Sequence, residues 1–407
     1  MSQLSDLPLS PAELVQLNQQ LQGLHLPNYG RGSVHTGPAR TLQIIQQLGY
    51  LQIDAIYVVQ RAHHHILHSR LSDYQPDWLA QLQASGQIFE YWSHAAAYLP
   101  MADYRFSLFR KAQLQQGKKH WFAADHQQMQ LVRHRISQEG PLKASDFVKT
   151  EQKKGSWWDW QPAKQALEQL FMQGELMVLR RDKFEKVFDL TERVLPAGVD
   201  LRLPDLSEMV SYLINRALDS HGFATAAQIS YLRQGLKTAV LQQLRERQAG
   251  GELGCFDLQG QQYFYRQQLP ALLRAPARVW LLNPFDNLLI QRQRVQHWYA
   301  ADFQLEVYLP AAKRQIGYYN LAIVYRQQLV GQVDVKADRK QQVLLLQHLV
   351  LTRQPPQRLA FGRALVRAFA DYAAFNGCQR WQLVKAEPDV RHWLQSLAST
   401  DEHHHED

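Results

Sequence analysis

The segment Pro162–Pro196, PAKQALEQLFMQGELMVLRRDKFEKVFDLTERVLP, predicts one helix followed by two short strands. Apolar residues recur at helical spacing from Ala163 to Phe171, and Gly174 provides a stop. The runs ELMVLRR and EKVFDLT have strand character and are joined through Asp182 and Lys183. With a further helix predicted upstream, the order becomes helix, helix, basic hairpin. That order is typical of a winged helix, whose second helix and hairpin commonly contact DNA.

The unit begins upstream of this segment, and a similar pattern follows it. DHQQMQLVRHRISQEGPLKASDF predicts the first helix of the unit, a Gly-Pro break and the start of a second helix. SEMVSYLINRALDSHGFATAAQISYLRQG, downstream, predicts two helices with a turn at Gly222 and an N-cap at Thr225. GCFDLQGQQYFYR then predicts a hairpin around Gly260. We interpret these segments as loosely repeated helix-turn-helix units, because no fixed period is visible.

The C-terminal part has a different composition. EVYLPAAKRQIGYYNLAIVYRQQLVGQVDVKADRKQQVLLLQHLV consists of short β-rich runs between turn residues, which favours an antiparallel sheet or a small barrel. The helix RLAFGRALVRAFADYAAFNG follows and ends at Gly377. The last residues, 401–407, DEHHHED, are predicted to be disordered. The predicted fold class is therefore α+β.

Length and composition limit the possible classes of protein. A chain of 407 residues with 45% hydrophobic and 20% charged residues predicts a soluble globular protein of two or more domains. No apolar run is long enough to span a bilayer, and the N-terminal residues do not resemble a secretory signal. The two cysteines, Cys255 and Cys378, are far apart, which fits a reducing cytoplasm and argues against a cysteine-based zinc site.

The charge distribution favours a polyanionic partner outside the first hundred residues. The net charge is +8 and the pI about 9.3. Residues 1–100 carry 4 Lys and Arg against 6 Asp and Glu, whereas residues 101–300 carry a positive excess of 8. A generally basic enzyme explains the charge equally well. No P-loop, GxGxxG, HExxH or GxSxG motif is present, so nucleotide-driven, zinc-protease and serine-hydrolase functions lose support.

The segment GYLQIDAIYVVQRAHHHILHSRL, residues 49–71, places Gln52 and Asp54 within an apolar run. Its β-branched and aromatic residues favour an extended conformation, in which these two side chains share one face. A carboxylate in such a run is costly unless it is paired, hydrogen-bonded or functional. Beside an amide it can orient water or stabilise a cationic transition state. From these residues alone, a catalytic site and a structural polar cluster are about equally supported.

Three other groups are candidates for binding. The consecutive histidines His63, His64 and His65 cannot converge on one metal ion, so they suit phosphate or base contacts, or else form a polar surface turn. EYWSHAAAYLP places Trp92 and His94 on one face of a predicted strand, which suits a nucleobase or sugar pocket but more often marks an aromatic core. KKGSWWDWQPAK interleaves lysines with tryptophans, as in nucleic-acid contacts or at a domain junction.

Several stretches together resemble one family, the AlkZ/AlkX (YcaQ-like) winged-helix DNA glycosylases. They are LQIDAIYVVQRAHHHILHSRL, EYWSHAAAYLP, GSWWDWQPAKQALEQLFMQGELMV, RVLP, and NPFDNLL followed by EVYLPAAKRQIGYY and LVGQVDVKADR. The resemblance covers about residues 40–340. The triplet Gln52-Ile53-Asp54, followed by Arg61 and Ser69-Arg70, is similar to the AlkX branch, since the AlkZ branch has Gln where this chain has Asp54.

The resemblance implies a C-shaped monomer of tandem winged helices with a C-terminal β-barrel. It implies hydrolysis of the N-glycosidic bond of N7-alkylated guanine, including bulky adducts and interstrand crosslinks. The chain departs from the family after PFD, where Asn287, Ile290 and Gln291 replace the usual Pro, Trp and Asp. The expected divisions are an N-terminal winged helix over 1–125, a second with a basic hairpin over 126–200, a third over 201–278 and a barrel-like antiparallel domain over 279–400.

The resulting hypothesis is a monofunctional DNA glycosylase that needs no metal or cofactor and acts on double-stranded DNA in the cytoplasm, associated with the nucleoid. No Schiff-base lysine stands beside the triplet, which argues against lyase activity. The predicted residues are Gln52 and Asp54 for catalysis, Tyr91, Trp92 and His94 for support of the active site, and Arg61, His63, His64, His65, Arg70, Lys153, Lys154, Lys313 and Arg314 for DNA contacts. The rival hypotheses are a winged-helix transcription regulator and an architectural DNA-binding module that recruits repair partners.

Overall fold

A computed structural model describes residues 8–25, 37–118, 123–147 and 161–402. Helix α1, Pro11–Leu21, opens the fold, and α5, Tyr104–Gln115, joins the first two sheet-containing units. The first unit consists of α2 Gly37–Leu48, β1 Leu51–Gln52, α3 Ala62–His68, α4 Pro76–Ala84, β2 Ile88–Trp92 and β3 Ala96–Pro100. Its three strands pair in the order β1-β3-β2. Tyr98 on β3 therefore pairs with Leu51 on one side and Glu90 on the other.

Two further units repeat this arrangement of helices and strands. The second consists of α6 His126–Glu139, β4 Leu142–Lys143, α7 Gln161–Gln173, β5 Leu176–Asp182 and β6 Glu185–Leu190, with the short helix α8 Thr191–Val194 after it. The third consists of α9 Leu206–His221, β7 Phe223–Ala224, α10 Ala226–Ile229, α11 Lys237–Ala249, β8 Leu253–Leu258 and β9 Gln261–Arg266. Their strands pair in the orders β4-β6-β5 and β7-β9-β8. In each unit the short first strand thus pairs with the second strand of the hairpin.

The C-terminal part is built on an open five-stranded sheet. Its elements are β10 Val279–Leu282, α12 Arg292–Tyr299, β11 Asn320–Tyr325, β12 Gln328–Asp338, β13 Val343–Leu351, α13 Arg358–Phe375, β14 Arg380–Leu383 and α14 Pro388–Glu402. The strands pair in chain order, and β14 runs parallel to β13. The mixed α+β class is confirmed. The predicted antiparallel barrel is wrong in its closure, because α13 packs against both edge strands, β10 and β14, and fills the gap that a barrel would close.

Buried ion pairs join the first unit to its neighbours. The Glu90 carboxylate accepts two hydrogen bonds from Arg181 of the second unit, at 2.8 and 2.6 Å. Asp103, just after β3, accepts a hydrogen bond of 2.5 Å from Arg216 on α9. Because each carboxylate is almost fully buried and matched by a guanidinium, the pairs specify how the units dock.

The hairpin of the second unit differs from its prediction. Lys183 and Phe184 form the turn, both at positive φ, rather than Asp182 and Lys183. Two of its basic residues are engaged within the protein, since Arg181 binds Glu90 and Lys186 binds Glu168 at 2.9 Å. Arg180 and Lys183 are exposed, so the expectation of a basic hairpin that meets DNA is narrowed to these two residues. Phe184 instead packs toward the first unit, where its ring lies beside that of His63.

Two local predictions are confirmed: Thr225 is the N-cap of α10, and the third hairpin turns at Gly260. Thr225 forms a capping box with Gln228, as Ser10 does with Glu13 at α1, and Gly49 ends α2 at φ 80°. The prediction of a disordered tail over 401–407 is wrong for its first two residues, because 401 and 402 complete α14. Residues 403–407 lie outside the described residues. No helix within the described ranges is long and apolar enough to cross a membrane.

Candidate active site

Gln52 lies at the end of β1, in a short extended segment. Its backbone pairs with Ala97 on β3, and the N–H of Ile53 continues the ladder to Ala96. The strand is only two residues long, and Asp54 follows it in a turn. The amide oxygen of Gln52 lies 3.1 Å from Nε2 of His94. Burial and the neighbouring Arg233 lower the pKa of His94 to about 4, so its ring is neutral near pH 7 and donates from Nε2 to Gln52.

Asp54 is a partly buried carboxylate without a cationic partner. Its Oδ1 accepts a hydrogen bond of 2.8 Å from the N–H of Ile56, which fixes the side chain within its own turn. No Lys, Arg or His in the described ranges forms an ion pair with it. Burial therefore raises the pKa of Asp54, and the Ile56 hydrogen bond offsets only part of this effect.

This environment distinguishes Asp54 from the other carboxylates around the first unit. Glu90 and Asp103 are each matched by an arginine, as described above. Asp286, in the loop between β10 and α12, forms a two-point ion pair with Arg70, with distances of 2.5 and 2.9 Å. Neither side chain of that pair is exposed. The structure thus assigns the polar cluster of the core to Arg70 and Asp286, and leaves the Asp54 charge uncompensated.

Arg70, predicted to contact DNA, is buried instead. Besides Asp286, its guanidinium binds the carbonyl oxygens of Gln22 and Ile66 at 2.9 and 3.1 Å. It therefore connects the end of α3 to the loop that follows β10. In that loop the amide of Asn287 donates to the carbonyl of Tyr50 at 3.1 Å, directly before β1. This contact gives Asn287, a departure from the family pattern, a structural part in placing the catalytic candidates.

The histidine run also lies inside, on α3. His63 and His65 are 3% and 1% exposed, and His65 binds the Leu281 carbonyl at 2.8 Å. His64 is partly buried and lies 2.8 Å from the Tyr74 hydroxyl. Burial lowers the pKa of all three, to about 4 for His64 and His65. The expectation that these residues make charge-assisted contacts with DNA is therefore revised. The rings are neutral near pH 7, and two of the three are enclosed by protein.

We expect these buried histidines to make the fold sensitive to acid. Their folded pKa values lie below the ordinary value near 6.5, so between pH 6.5 and about 4 the unfolded chain binds more protons than the folded protein. The free energy of unfolding therefore decreases as the pH is lowered through this range. His68, the last residue of α3, is the histidine to replace in a test, because burial lowers its pKa to about 3 and its ring stacks on that of Phe375, 3.9 Å away. His68→Phe should flatten the pH dependence in urea unfolding at pH 5 and 7.5. An unchanged slope would count against the assignment.

The aromatic residues predicted to support the site have separate positions. Tyr91 is buried on β2 and donates to the Met172 carbonyl at 2.6 Å, so it joins the first two units. Trp92 and His94 line a cavity of about 120 Å³. Tyr50 also lines it, and its ring meets the His94 ring edge-on at 5.0 Å. His94 therefore contacts both Gln52 and the cavity.

We expect His94 to act by positioning Gln52. His94→Phe keeps a ring of similar size but removes the hydrogen bond, so Gln52 should lose its fixed orientation. We expect kcat of the reaction at this site to fall roughly tenfold to a hundredfold, with little change in KM, as for loss of a supporting hydrogen bond at a site. His94→Gln, which can still donate to Gln52, should recover most of the rate when kcat and KM are measured in steady state. Equal rates for the two variants would contradict this role.

An exposed loop before β11 carries residues that the sequence did not single out. The Glu306 carboxylate accepts hydrogen bonds from the N–H groups of Gln315, Ile316 and Gly317 at 2.9–3.0 Å, which folds the loop back on itself. Tyr308, in the same loop, is 76% exposed. Partial burial raises the pKa of Tyr308, and the nearby Asp54 carboxylate adds to the effect. This loop therefore borders the candidate catalytic carboxylate.

The remaining predicted DNA contacts vary in position. Lys313 is exposed and Arg314 partly buried on the loop just described, where the Arg314 guanidinium lies 4.9 Å from the Tyr318 ring. Arg61 is partly buried, with its guanidinium 4.4 Å from the Tyr57 ring. The exposed Arg339 lies over the same ring at 4.0 Å. Lys153 and Lys154 lie outside the described residues.

No group of three or more His, Cys, Asp or Glu side chains in the described part of the chain could hold a metal ion. The candidate site consists of Gln52, Asp54 and His94, set between the first unit, the loop after β10 and the loop carrying Tyr308. Its chemistry is that of an unpaired carboxylate beside an oriented amide, which suits activation of water or stabilisation of a cationic transition state.

Comparison with known proteins identifies the class to which this fold and site belong. Residues 45–375 match the family described as DNA glycosylase AlkZ-like, and the chain belongs to that family of DNA glycosylases. The chain is similar in structure to the Streptomyces sahachiroi DNA glycosylase AlkZ, with a TM-score of 0.61 and 16% sequence identity. The similarity covers 93% of this chain and 100% of the other. At this identity the likeness shows the fold alone.

Proposed function

We propose that this protein is a monofunctional DNA glycosylase that hydrolyses the N-glycosidic bond of N7-alkylated guanine, including bulky adducts and interstrand crosslinks. One observation carries the proposal: Asp54 is a partly buried carboxylate whose charge no cation in the described ranges matches, and its turn holds it in place. A structural carboxylate in this protein has an arginine or several backbone N–H groups as partners, as Glu90, Asp286 and Glu306 do.

The chemistry of the substrate agrees with such a site. Alkylation at N7 makes guanine cationic, so the base leaves as a neutral molecule and no strong general acid is needed. Positive charge develops on the deoxyribose as the bond breaks, and the Asp54 carboxylate stabilises it, as carboxylates do in glycoside hydrolysis. Asp54 then accepts a proton from the attacking water. With its oxygen bound by His94, Gln52 retains its NH2 group to orient the water or the sugar.

The position of Lys111 supports hydrolysis without a lyase step. A Schiff base requires a lysine amine that is both neutral and accessible to the sugar. Burial lowers the pKa of Lys111 to about 7, but this side chain is 4% exposed, and its Nζ lies 3.9 Å from the Tyr104 ring and 4.7 Å from the Tyr91 ring. Its amine is enclosed between aromatic rings rather than presented to DNA.

We propose that the three sheet-containing units are winged helices and that the protein binds duplex DNA as a monomer on the chromosome. In each unit the strand order places the first strand beside the second strand of the hairpin. Arg61, Arg339 and Tyr57 lie on a surface near the second hairpin, and neither arginine forms an ion pair with a described carboxylate. Guanidinium groups of this kind suit phosphate contacts. Lys313 and Arg314 extend the proposed contacts to the loop beside Asp54.

The alternative is a DNA-binding protein without catalysis, such as a transcription regulator. It would bind one operator tightly and leave alkylated duplexes intact. The test uses duplexes that carry N7-methylguanine, a guanine–guanine crosslink or no lesion. Released base is measured by chromatography, and abasic sites are measured by alkaline strand cleavage. Base release from the first two duplexes alone supports the proposal. Intact lesions at saturating protein, together with specific binding to one undamaged sequence, would favour the regulator.

A further inference from the structure

The cavity beside His94 has charged walls that the proposed hydrolysis does not use. It lies between the β2–β3 hairpin, α9 and the turn that joins α10 to α11. Asp103 and Arg216, on one wall, form an ion pair, so their charges cancel. Burial lowers the pKa of His221 and of His94, so both rings are neutral near pH 7. Arg233, on the opposite wall, is the charge that remains.

Arg233 is partly buried and has few protein partners for a guanidinium. Its one hydrogen bond among the described residues is to the Ser93 hydroxyl, at 3.3 Å. A guanidinium has five N–H donors, so most of its capacity is unused. It forms no ion pair with a carboxylate in the described ranges, and burial lowers its pKa. The side chain is partly exposed, so its unused donors are open to a ligand in the cavity.

A second arginine increases this positive charge. Arg110, on α5, lies with its guanidinium 5.7 Å from the Trp92 ring and close enough to Arg233 to depress its pKa. Nε of Arg110 is buried and has no hydrogen-bond partner, and no described carboxylate pairs with the residue. Two like charges close together repel each other, and an anion bound by Arg233 would relieve that repulsion.

We propose that this cavity binds a phosphodiester group of the DNA strand that carries the lesion, with Arg233 as its ligand and Arg110 as a neighbouring positive charge. The inference rests on the proposed function, since it takes DNA as the substrate. Planar guanidinium groups bind phosphate oxygens through paired hydrogen bonds. His94 lines the cavity and also holds Gln52, so a phosphate bound here fixes the backbone close to the nucleotide being hydrolysed. Substrate placement then depends on a contact that reads no base.

The experiment measures binding of the full-length protein to undamaged duplex as a function of salt. Each phosphate contact contributes about 0.9 to the slope of log affinity against log salt. Arg233→Met should therefore make the slope less negative by about 0.9 and weaken binding roughly threefold to tenfold near 0.1 M salt. Arg363→Met, which removes the same charge from an exposed position on α13, is the matched control and should leave the slope unchanged. Arg233→Lys keeps the charge and should retain most of the slope.

The outcomes are separable. An unchanged slope in Arg233→Met, or an equal change in Arg363→Met, would overturn the assignment. If Arg233→Met fails to fold, as judged by circular dichroism, Arg110→Met carries the same expectation. Inorganic phosphate tests the other source of the anion: if it raises the melting temperature of the wild type while the variants keep the slope, the cavity holds a free anion and not the DNA backbone. Because undamaged duplex is used, failure to release bases would refute the glycosylase proposal without affecting this result.

Discussion

Replacing Asp54 with asparagine should abolish release of N7-methylguanine from duplex DNA, lowering the single-turnover rate by about 10³-fold or more, while DNA binding stays within about twofold. The amide keeps the shape and can still accept the hydrogen bond from Ile56, but it carries no negative charge to stabilise the sugar cation. Base release is measured by chromatography, and binding by fluorescence anisotropy. A variant with wild-type activity would refute the mechanism.

The same substitution should not destabilise the protein. Burial raises the folded pKa of Asp54 above its unfolded value, so the folded state binds more protons as the group titrates, and its ionised form costs stability at neutral pH. Asparagine removes that cost, and the melting temperature at pH 7.5 should rise. Asp77→Asn, an exposed aspartate at the start of α4, is the matched control for the lost charge, and we expect activity and stability close to wild type. A lower melting temperature for Asp54→Asn would indicate a structural role.

Wild-type activity should also fall in acid for two distinguishable reasons. Protonation of Asp54 removes the catalytic charge and leaves the protein folded. Protonation of the buried histidines of α3 weakens the fold instead, at pH values below their ordinary pKa. Measuring the rate and the fraction of folded protein at each pH separates the two, because only the first changes the rate per folded molecule.

The sequence predicts local structure well wherever neighbouring residues determine it. Ser10 with Glu13, and Thr225 with Gln228, are capping boxes within four residues, and Gly49 and Gly260 mark backbone turns. The positions of charges relative to distant partners are different. Asp54 and Asp286 both stand in apolar stretches and look alike in sequence. Only the fold shows that Asp286 meets Arg70, 216 positions away, and that no described cation meets Asp54.

The histidine run and the C-terminal sheet show the same limit. Three consecutive histidines suggest a polar surface, but Tyr372 and the Leu281 carbonyl, both far along the chain, enclose His65. The strands of the C-terminal sheet were predictable from their composition. Whether the sheet closes depends on α13, which lies between the two edge strands and removes the need for a barrel. Packing of this kind between distant elements leaves no periodic signal in the sequence.

Breaking the Arg70–Asp286 pair should have the largest effect on stability. Both side chains are fully buried, so Arg70→Met leaves a carboxylate without its cation, and we expect a loss of about 3–5 kcal/mol in the free energy of unfolding. Chemical denaturation measures it. Arg266→Met is the matched control, because its pair with Asp219 at 2.7 Å is largely exposed and should cost no more than about 1 kcal/mol.

A double-mutant cycle separates the charge from the packing. Arg70→Met with Asp286→Leu removes both charges, so the double variant should recover much of the stability that either single variant loses. Activity should not recover in parallel. Asp286 also accepts the N–H of Leu288 and shapes the loop in which Asn287 holds the Tyr50 carbonyl, two residues before Gln52. A double variant that regains stability but remains slow in base release would show that this ion pair serves chiefly to set the geometry of the catalytic segment. If stability and rate recover together, the pair acts on folding alone.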